Sequence, residues 1–314
     1  RQAAALAEYT LRARHLADCL GSRVRTLSVS KNVHSIAKDT SDKAPGLLEG
    51  QVALITGCGG AIGYGIADRV LAAGAAAAIA DLDPHRLENV RSILAERYGE
   101  QRVEPLVFDV TNYEAVEKAV RRVCLGFGGL DLLVPNAGIA HVAKLESLDS
   151  DKFRKVIEVN LMGTFHVVKA ATPVFRLQGT GGNVVLVSSK NVPDPGASFG
   201  AYSASKAAAH QIGKIDALEL AELGVRVNML NPDAVFGDRQ VSSGLWDLIG
   251  PDRMKSRGLD PEGLREYYRK RNLLKASVLA EHVGNAVVFF AGNRTPTTGA
   301  SLPIDGGVPG AFPR

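Results

Sequence analysis

Cysteine is scarce in this sequence, with only Cys19, Cys58 and Cys124 among 314 residues. Three scattered cysteines are too few for a disulfide framework or a zinc site, so we expect a reducing compartment and no bound metal. The seven histidines likewise show no metal-ligand spacing. Long hydrophobic runs are also missing, since none approaches the ~20 apolar residues that a membrane-spanning helix needs.

Charge of either sign is nearly balanced. The formal net charge of +4 is small for this length, and no basic stripe is interleaved with aromatic residues. We therefore expect no nucleic-acid partner. The hydrophobic content of 46% is enough to bury one large core, or one domain with an appendage.

The first 48 residues do not follow the pattern of the rest of the chain. Ala3 to Leu20 has the spacing of one amphipathic helix, and Thr26 to Lys43 is rich in Ser, Thr and Lys, as linkers are. Through Ile36 there are six Lys or Arg residues against two acidic ones, a bias typical of an organelle transit peptide. An extension that docks on the domain or on a partner fits equally well. We expect a cytoplasmic protein, or one of an organelle matrix if a transit peptide is present.

From residue 49 to residue 314 the sequence predicts one domain. Short apolar runs alternate with helical segments and no hairpin signal appears, which indicates an α/β fold with a Rossmann-type doubly wound parallel sheet of about seven strands. Right-handed crossovers would then bring the carboxyl ends of all strands to one side. Predicted strands are Gln51–Thr56, Ala76–Ala80, Val103–Phe108, Leu130–Pro135, Val184–Val187 and Ala300–Ile304, and predicted helices include Ile66–Ala73, Asn112–Gly126, Ser150–Phe175 and Glu281–Ala291.

A glycine-rich turn, Gly57 to Gly63, joins the first predicted strand to its helix. Such a turn lets a pyrophosphate approach the N–H groups at a helix N-terminus. Asp81 ends the second strand about 20 residues later, where an acid hydrogen-bonds the adenosine ribose hydroxyls and repels a 2′-phosphate. This arrangement favours NAD over NADP. The alternative is that Asp81 caps the helix near Pro84, although Asp83 suits that role better.

Tyr202 and Lys206 are four residues apart on an Ala-rich predicted helix, so they share one face. Lowering a tyrosine pKa from ~10 to ~7 requires roughly 4 kcal/mol, which one cation at ~4 Å in a partly screened site supplies. We predict that Lys206 lowers the Tyr202 pKa and makes it an acid/base near neutral pH. A lone Tyr-x-x-x-Lys is more often a surface pair, so the other motifs must support this interpretation.

Together these motifs resemble the short-chain dehydrogenase/reductase family. The matching pieces are the Thr56–Gly57 turn, Asp81, Asp109, Asn136–Gly138, Asn160, Ser189, Tyr202 with Lys206, Asn231–Pro232 and Asp305–Gly307. The resemblance implies a catalytic set of Asn160, Ser189, Tyr202 and Lys206. It also implies cofactor contacts from Gly57, Gly60, Ile62, Gly63, Asp81, Asp109, Val110, Asn136, Ala137, Gly138, Tyr202, Lys206, Pro232 and Val235.

The resemblance also implies a role for each member of the catalytic set. Tyr202 would exchange a proton with the substrate hydroxyl, and Ser189 would hydrogen-bond the reacting oxygen. Lys206 would hold the nicotinamide ribose, and Asn160 would anchor a water for proton relay. Because Asn160 stands among apolar residues, its amide is expected to be buried and must find hydrogen-bond partners.

Two positions depart from the family pattern. Ala61 stands where a glycine is usual, and Asp233 replaces the glycine that commonly follows Asn231–Pro232. The second departure calls the usual contacts on the carboxamide side into question, and the backbone of Ala234 and Val235 could still supply them.

A narrower resemblance is to the dehydrogenase half of bacterial bifunctional rhamnulose-phosphate aldolase/short-chain dehydrogenase proteins. It rests on Ser189–Val192, Phe199–Ala204, Asn231–Phe236 and Asp305–Arg314. It implies action on lactaldehyde or a related hydroxy-carbonyl compound. Residues 1–48 are too short for an aldolase, so we expect either a trimmed chain beginning at Arg1 or a stand-alone descendant.

Residues 237–275 form an insertion that would cover the substrate. The residues expected to line its apolar pocket are Leu245, Trp246, Met254, Tyr267 and Tyr268. Five arginines could bind an anionic group, but their density is more typical of a solvated helix face. They are Arg253, Arg257, Arg265, Arg269 and Arg271.

These features predict an NAD-dependent oxidoreductase that interconverts a secondary alcohol, polyol or hydroxyaldehyde and its oxidised product. The expected partner is this small molecule, and a homodimer or homotetramer is expected by analogy. One alternative is a non-catalytic NAD-binding subunit docked in a larger assembly through its N-terminal extension. Another is a detached half of a bifunctional enzyme.

Overall fold

The computed structural model describes residues 46–238 and 240–312. The predicted amphipathic helix, linker and transit-peptide bias of the N-terminal segment therefore lie outside the described residues. The first described segment belongs to the domain, because Leu48 is fully buried and its N–H donates to Ala73 O at 2.8 Å.

Seven parallel strands form one sheet in the spatial order β3-β2-β1-β4-β5-β6-β7. The order reverses direction between β1 and β4, as in a doubly wound fold, so the predicted fold class is confirmed. The strands are β1 Val52–Thr56, β2 Ala76–Asp81, β3 Val103–Val107, β4 Leu132–Val134, β5 Gly182–Val187, β6 Val225–Pro232 and β7 Ser301–Ile304.

Helices cover both faces of the sheet, which explains why the inner strands read as continuous apolar runs. One core packs α1, α2 and α9 on the sheet, and a second packs α3 and α5 on the opposite face. In the described part of the chain, no helix has the length and apolar character to cross a membrane. The helices are α1 Ala61–Ala72, α2 Pro84–Tyr98, α3 Tyr113–Phe127, α4 Ser150–Ile157, α5 Gly163–Gln178, α6 Gly200–Glu219, α7 Gly244–Lys255, α8 Pro261–Lys270 and α9 Ala280–Ala291.

Two predicted helices differ from those observed. The first begins at Ala61 rather than Ile66, because the extended Gly60 is its N-cap and the glycine turn already supplies the first helical residues. The predicted helix from Ser150 to Phe175 is present in extent, but a π-helical turn, Glu158–Met162, divides it into α4 and α5. A π turn contains an extra residue, which apolar periodicity does not reveal.

Residues of the predicted insertion form α7 and α8. Their aromatic side chains form one cluster with the loop after β6, in which the Phe236 and Trp246 rings stack 4.2 Å apart and the Trp246 and Tyr268 rings meet edge to face 4.9 Å apart. Such contacts stabilise packing beyond the area they bury. The helix pair is therefore fixed above the carboxyl end of β6.

Candidate active site

A cavity of about 790 Å³ lies at the carboxyl ends of the strands. The glycine turn, the ends of β2 and β3, the loops after β4, β5 and β6, and helices α6 and α7 all contribute to its wall. All fourteen predicted cofactor residues line it, and so do Ser189, Tyr202 and Lys206. Asn160 is completely buried and does not line the cavity.

The glycine turn is closed so tightly that one position excludes any side chain. A Cβ at Gly63 would lie 2.3 Å from Gly57 O and 2.7 Å from the Cα of Cys58, both backbone atoms. At Gly60 the nearest atom would be 3.8 Å away, so that side of the turn is open. Gly57 has φ = +71°, a backbone conformation that favours glycine.

The N-terminus of α1 opens onto the cavity. Gly60 provides no side-chain cap, and the first backbone bond of the helix runs from Tyr64 N to Gly60 O at 3.0 Å. N–H groups ahead of that bond are available to a ligand, and the helix dipole favours an anion there. The Ala61 methyl group is buried in the core, which explains how alanine is accommodated in place of the usual glycine. These residues fit the pyrophosphate of a dinucleotide.

Asp81 lies beside the glycine turn. Its Oδ2 accepts from Gly59 N at 2.8 Å and its Oδ1 accepts from Asp83 N at 3.0 Å. The helix-capping role belongs to Asp83, which accepts from the N–H groups of His85 and Arg86 at the start of α2. The Asp81 carboxylate therefore lies between the glycine turn and the N-cap of α2, where it lines the cavity.

Asn136 joins the end of β4 to the end of β1. Its Nδ2 donates to Thr56 O at 2.8 Å and to Gly57 O at 3.1 Å, while Thr56 Oγ1 accepts from the N–H groups of Asn136 and Ala137. The side chain thus holds the glycine turn against the loop that continues to Gly138. The buried Thr56 hydroxyl holds the same two segments together from the β1 side.

Asn160 holds that same loop from its buried side, through Ile139. Its Oδ1 accepts from Ile139 N at 2.8 Å, and its Nδ2 donates to Ile139 O and to Ser205 Oγ, both at 2.9 Å. Ser205 in turn donates to Tyr202 O at 2.7 Å. Because protein atoms take both Nδ2 hydrogens, the amide fixes the loop relative to the start of α6. Ser205 thus links the Asn160 amide to the backbone of Tyr202. In the sequence, the (i, i+3) spacing of Ser205 and Tyr202 was the one feature that could have indicated this role.

Lys206 does not act on Tyr202 as predicted. Its Nζ donates to Val187 O at 2.9 Å, and burial lowers the Lys206 pKa to about 8. The Tyr202 pKa is raised above its usual value: burial is the main cause, a hydrogen bond with Ser189 acts the other way, and the Asp233 charge raises it further. The prediction of a lowered tyrosine pKa is therefore wrong for this structure, because desolvation outweighs the stabilising contacts.

Asp233, the second departure from the family pattern, is paired with Arg271 at the end of α8. Arg271 Nε donates to Asp233 Oδ2 at 3.1 Å, and its Nη2 donates to Oδ1. The Arg271 guanidinium also lies 4.4 Å from the Tyr268 ring centroid. In the next residue, Ala234, φ is +36°, a strained value for a residue other than glycine. The loop after β6 is thereby bound to the helices that cover the cavity.

The expectation of a solvated arginine face is wrong for two of the five arginines. Arg253 is 9% exposed and lines the cavity, and Arg271 forms the pair just described. Arg253 follows Ile249 by four residues, and Ile249 is 3% exposed. That helical spacing was the signal that placed Arg253 on the inward face. Trp246, Leu245 and Tyr268 line the cavity as expected, and Met254 and Tyr267 do not.

Comparisons with known proteins agree with this geometry. The family described as short chain dehydrogenase matches residues 51–246. The uncharacterized oxidoreductase YuxG of Bacillus subtilis is 34% identical over 84% of this chain, but the match spans only 38% of YuxG. Galactitol 2-dehydrogenase of Agrobacterium fabrum is 30% identical over 78% of this chain and 91% of that protein.

Among solved structures, carveol dehydrogenase from Mycobacterium avium in complex with NAD superimposes with a TM-score of 0.76. It is 27% identical, and the likeness covers 84% of this chain and 99% of the other. Together with the family match over residues 51–246, these likenesses show that the chain belongs to the short-chain dehydrogenase family and is an oxidoreductase.

Proposed function

We propose that this oxidoreductase interconverts a secondary alcohol, polyol or hydroxyaldehyde and its oxidised product, with NAD as cofactor and Tyr202 as the acid/base. One observation carries the proposal: Ser189 and Tyr202 line the same cavity as the open helix N-terminus and Asp81. The cavity thus combines a place for a dinucleotide with a hydroxyl pair at which a substrate oxygen can bind.

The choice of NAD follows from Asp81. Its carboxylate lies beside Gly59 at the turn, where it would accept hydrogen bonds from a ribose and repel a 2′-phosphate. The likeness to a carveol dehydrogenase in complex with NAD supports the same cofactor. A nicotinamide dinucleotide supplies or accepts the hydride in such reactions. Gly60 and Gly63 would admit its pyrophosphate, and the loop Asn136–Gly138 would border the rest of it.

The protein's own contribution is to place and move a proton. In the oxidative direction the Tyr202 oxygen takes the proton of the substrate hydroxyl, and in the reductive direction it returns that proton to the nascent alcohol. The Ser189 hydroxyl interacts with Tyr202 and donates to the same substrate oxygen as negative charge develops there. Lys206 carries positive charge into the cavity wall, and Asn160 keeps the surrounding loop in place.

The substrate class draws on two supports. Galactitol 2-dehydrogenase, a relative named for a polyol, supports a sugar-like alcohol. The motifs Ser189–Val192 and Asp305–Arg314 support the narrower lactaldehyde-like class through the sequence resemblance.

We also propose that the chain is divided into an extension, residues 1–48, and a dehydrogenase domain, residues 49–314. Sequencing of the full reading frame tests whether an aldolase is attached.

Fluorescence titration with NADH and NADPH, followed by an alcohol and aldehyde screen with NAD, tests the proposal. We expect tight NADH binding and weak NADPH binding. Tyr202→Phe should keep NADH binding and lose turnover by a factor of about 10³. Tyr267→Phe is the matched control, since this half-exposed tyrosine lies outside the cavity lining. Near-normal turnover by Tyr202→Phe would refute the proposal.

A further inference from the structure

Arg253 is a buried cation whose side chain is only partly satisfied. It is 9% exposed, its Nη2 donates to Tyr268 Oη at 3.3 Å, and its Cζ lies 4.9 Å from the Phe199 ring centroid. Its Nε is buried and has no hydrogen-bond partner. A ring face and one long hydrogen bond compensate poorly for the hydration that a buried guanidinium loses.

The other arginines of the cavity wall each have a carboxylate partner. Arg86 Nη2 donates to Asp247 Oδ2 at 2.9 Å, and Arg271 pairs with Asp233. Within the described ranges, 46–238 and 240–312, Arg253 is the one arginine of the lining that no carboxylate pairs with. Its positive charge is therefore available to a ligand in the cavity.

The position of Arg253 is on the substrate side. The Phe199 ring that it covers lies 6.0 Å from the Tyr202 ring, so a single aromatic ring separates the guanidinium from the proposed acid/base. Asp81 and the glycine turn belong to other strands, on the β1–β2 side of the cavity. Arg253 and Tyr202 both contact the Phe199 ring and both line the cavity, so a substrate whose hydroxyl contacts Tyr202 occupies the same cavity as the guanidinium.

We propose that Arg253 binds an anionic group of the substrate, a carboxylate or a phosphate monoester, and that the enzyme prefers alcohols that carry such a group. The inference rests on the proposed function, since it assigns the substrate class of the same cavity. A guanidinium pairs with either group through two parallel N–H···O bonds, so the two groups share one recognition chemistry. A neutral polyol would leave the cation unpaired.

A purely structural Arg253 makes a different prediction. If the side chain only held α7 against Phe199, its loss would affect all substrates alike. If it binds an anion, its loss acts on anionic substrates and chiefly on KM, because an anion remote from the reacting carbon is bound equally in the ground and transition states.

Two pairs of compounds with matched skeletons separate these cases, assayed with NAD. One pair is D-sorbitol and D-sorbitol 6-phosphate, and the other is 2,3-butanediol and 3-hydroxybutyrate. We expect wild-type enzyme to prefer the anionic member of at least one pair, and the pair that shows the preference tells phosphate from carboxylate. Arg253→Met should lower kcat/KM for that member by about 100-fold, mainly through KM, with the neutral member little changed. Arg253→Lys should recover part of the loss.

Arg257→Met is the matched control. Arg257 follows α7, stacks on the Tyr267 ring at 4.9 Å and lies outside the cavity lining, so this variant removes the same charge and a similar ring contact. It should keep the wild-type preference. Equal losses on anionic and neutral members in Arg253→Met would overturn the inference, and so would wild-type turnover of both members of each pair without a preference for the anionic one.

Binding separates this inference from the proposed function. Thermal shift by the same four compounds, with NADH present, reports recognition without turnover. Selective stabilisation by an anionic member that Arg253→Met abolishes, without turnover of any compound, would sink the proposed reaction and uphold the anion site. Turnover of the neutral members only, with no anion-selective shift in melting temperature, would uphold the proposed reaction and overturn the anion site.

Discussion

Asp233 and Arg271 form a two-pronged ion pair between the loop after β6 and the end of α8. The Asp233 side chain is 7% exposed and that of Arg271 26% exposed. Because the pair is largely withdrawn from solvent, each charge depends on the other for compensation. The pair therefore fixes the covering helices to the sheet next to Tyr202.

Removing one partner of this pair should destabilise the fold. Arg271→Ala leaves the buried Asp233 carboxylate unpaired, and we expect a loss of about 3 kcal/mol in the free energy of unfolding. Urea denaturation measures it. Arg154→Ala is the control, since Arg154 forms an exposed pair with Asp151 on α4 and should cause no measurable change. Equal midpoints for the two variants would show that the Asp233–Arg271 pair contributes no more than a surface contact.

The glycine turn should tolerate a methyl group at one position and not at another. Gly63→Ala places a Cβ 2.3 Å from Gly57 O, so the backbone must shift, and we expect NADH affinity to fall by at least about tenfold together with a lower melting temperature. Gly60→Ala meets nothing closer than 3.8 Å and should keep wild-type stability. NADH titration and thermal melts of both variants check this. A Gly63→Ala protein that binds like wild type would contradict the geometry.

Asn160 should matter for folding as well as for activity. Asn160→Ala leaves the Ile139 N–H and C=O groups and the Ser205 hydroxyl without the bonds described above, and we expect a loss of about 3 kcal/mol of stability. Asn191→Ala, which removes a bond of 3.4 Å to Ser203 Oγ, is the milder control. Chemical denaturation compares them. If Asn160→Ala lost turnover at unchanged stability, the amide would have a role in the reaction that its contacts do not explain.

The pH profile of alcohol oxidation should respond to the neighbours of Tyr202. Only the deprotonated tyrosine accepts a proton, and its pKa is raised, so kcat/KM should still be rising with pH above neutrality. Asp233→Asn removes a negative charge that raises this pKa, so the profile should move to lower pH. Ser189→Ala removes a hydrogen bond that lowers it, so the profile should move to higher pH.

The quantity to compare is the apparent pKa of the kcat/KM profile, rather than the maximal value of kcat/KM. Asp247→Asn is the control, because that carboxylate lies in the same cavity wall and is likewise paired with an arginine, but does not contribute to the shift of the Tyr202 pKa. A profile that stayed fixed in both test variants would mean that the titration observed in kinetics belongs to a group other than Tyr202.

Much of the fold was predictable because burial on both faces produces apolar runs at strand spacing. The predicted strand from Ala76 to Ala80 is β2 with one residue added, and the helix predicted over Asn112–Gly126 is α3 with Asn112 as its N-cap. Asp83 was correctly favoured as the cap of α2. These features depend on residues close together in sequence, and local patterns therefore report them.

The candidate site was harder where distant residues decide the outcome. The raised Tyr202 pKa depends on desolvation and on Asp233, and neither effect follows from the spacing of Tyr202 and Lys206. Arg271 finds its partner 38 residues away, so its charge could not be assigned to the interior from its own helix. The density of arginines in this segment predicted a solvated helix face, because a count of charges does not show where their partners lie.

The π turn at Glu158–Met162 has a consequence for anyone who would redesign this helix. A π turn holds one residue more than the α-helical turn it replaces, so deleting that residue would restore a regular helix with better hydrogen bonds. It would also rotate every later residue by about 100° relative to the first half. Either Asn160 would lose Ile139, or Gly163 would no longer pack against Val110. Because losing the Asn160 bonds costs more than one regained helical hydrogen bond supplies, a variant made more helical in this way should melt at a lower temperature and no longer hold the loop beside Tyr202. Helix propensity alone is therefore the wrong guide for engineering this enzyme.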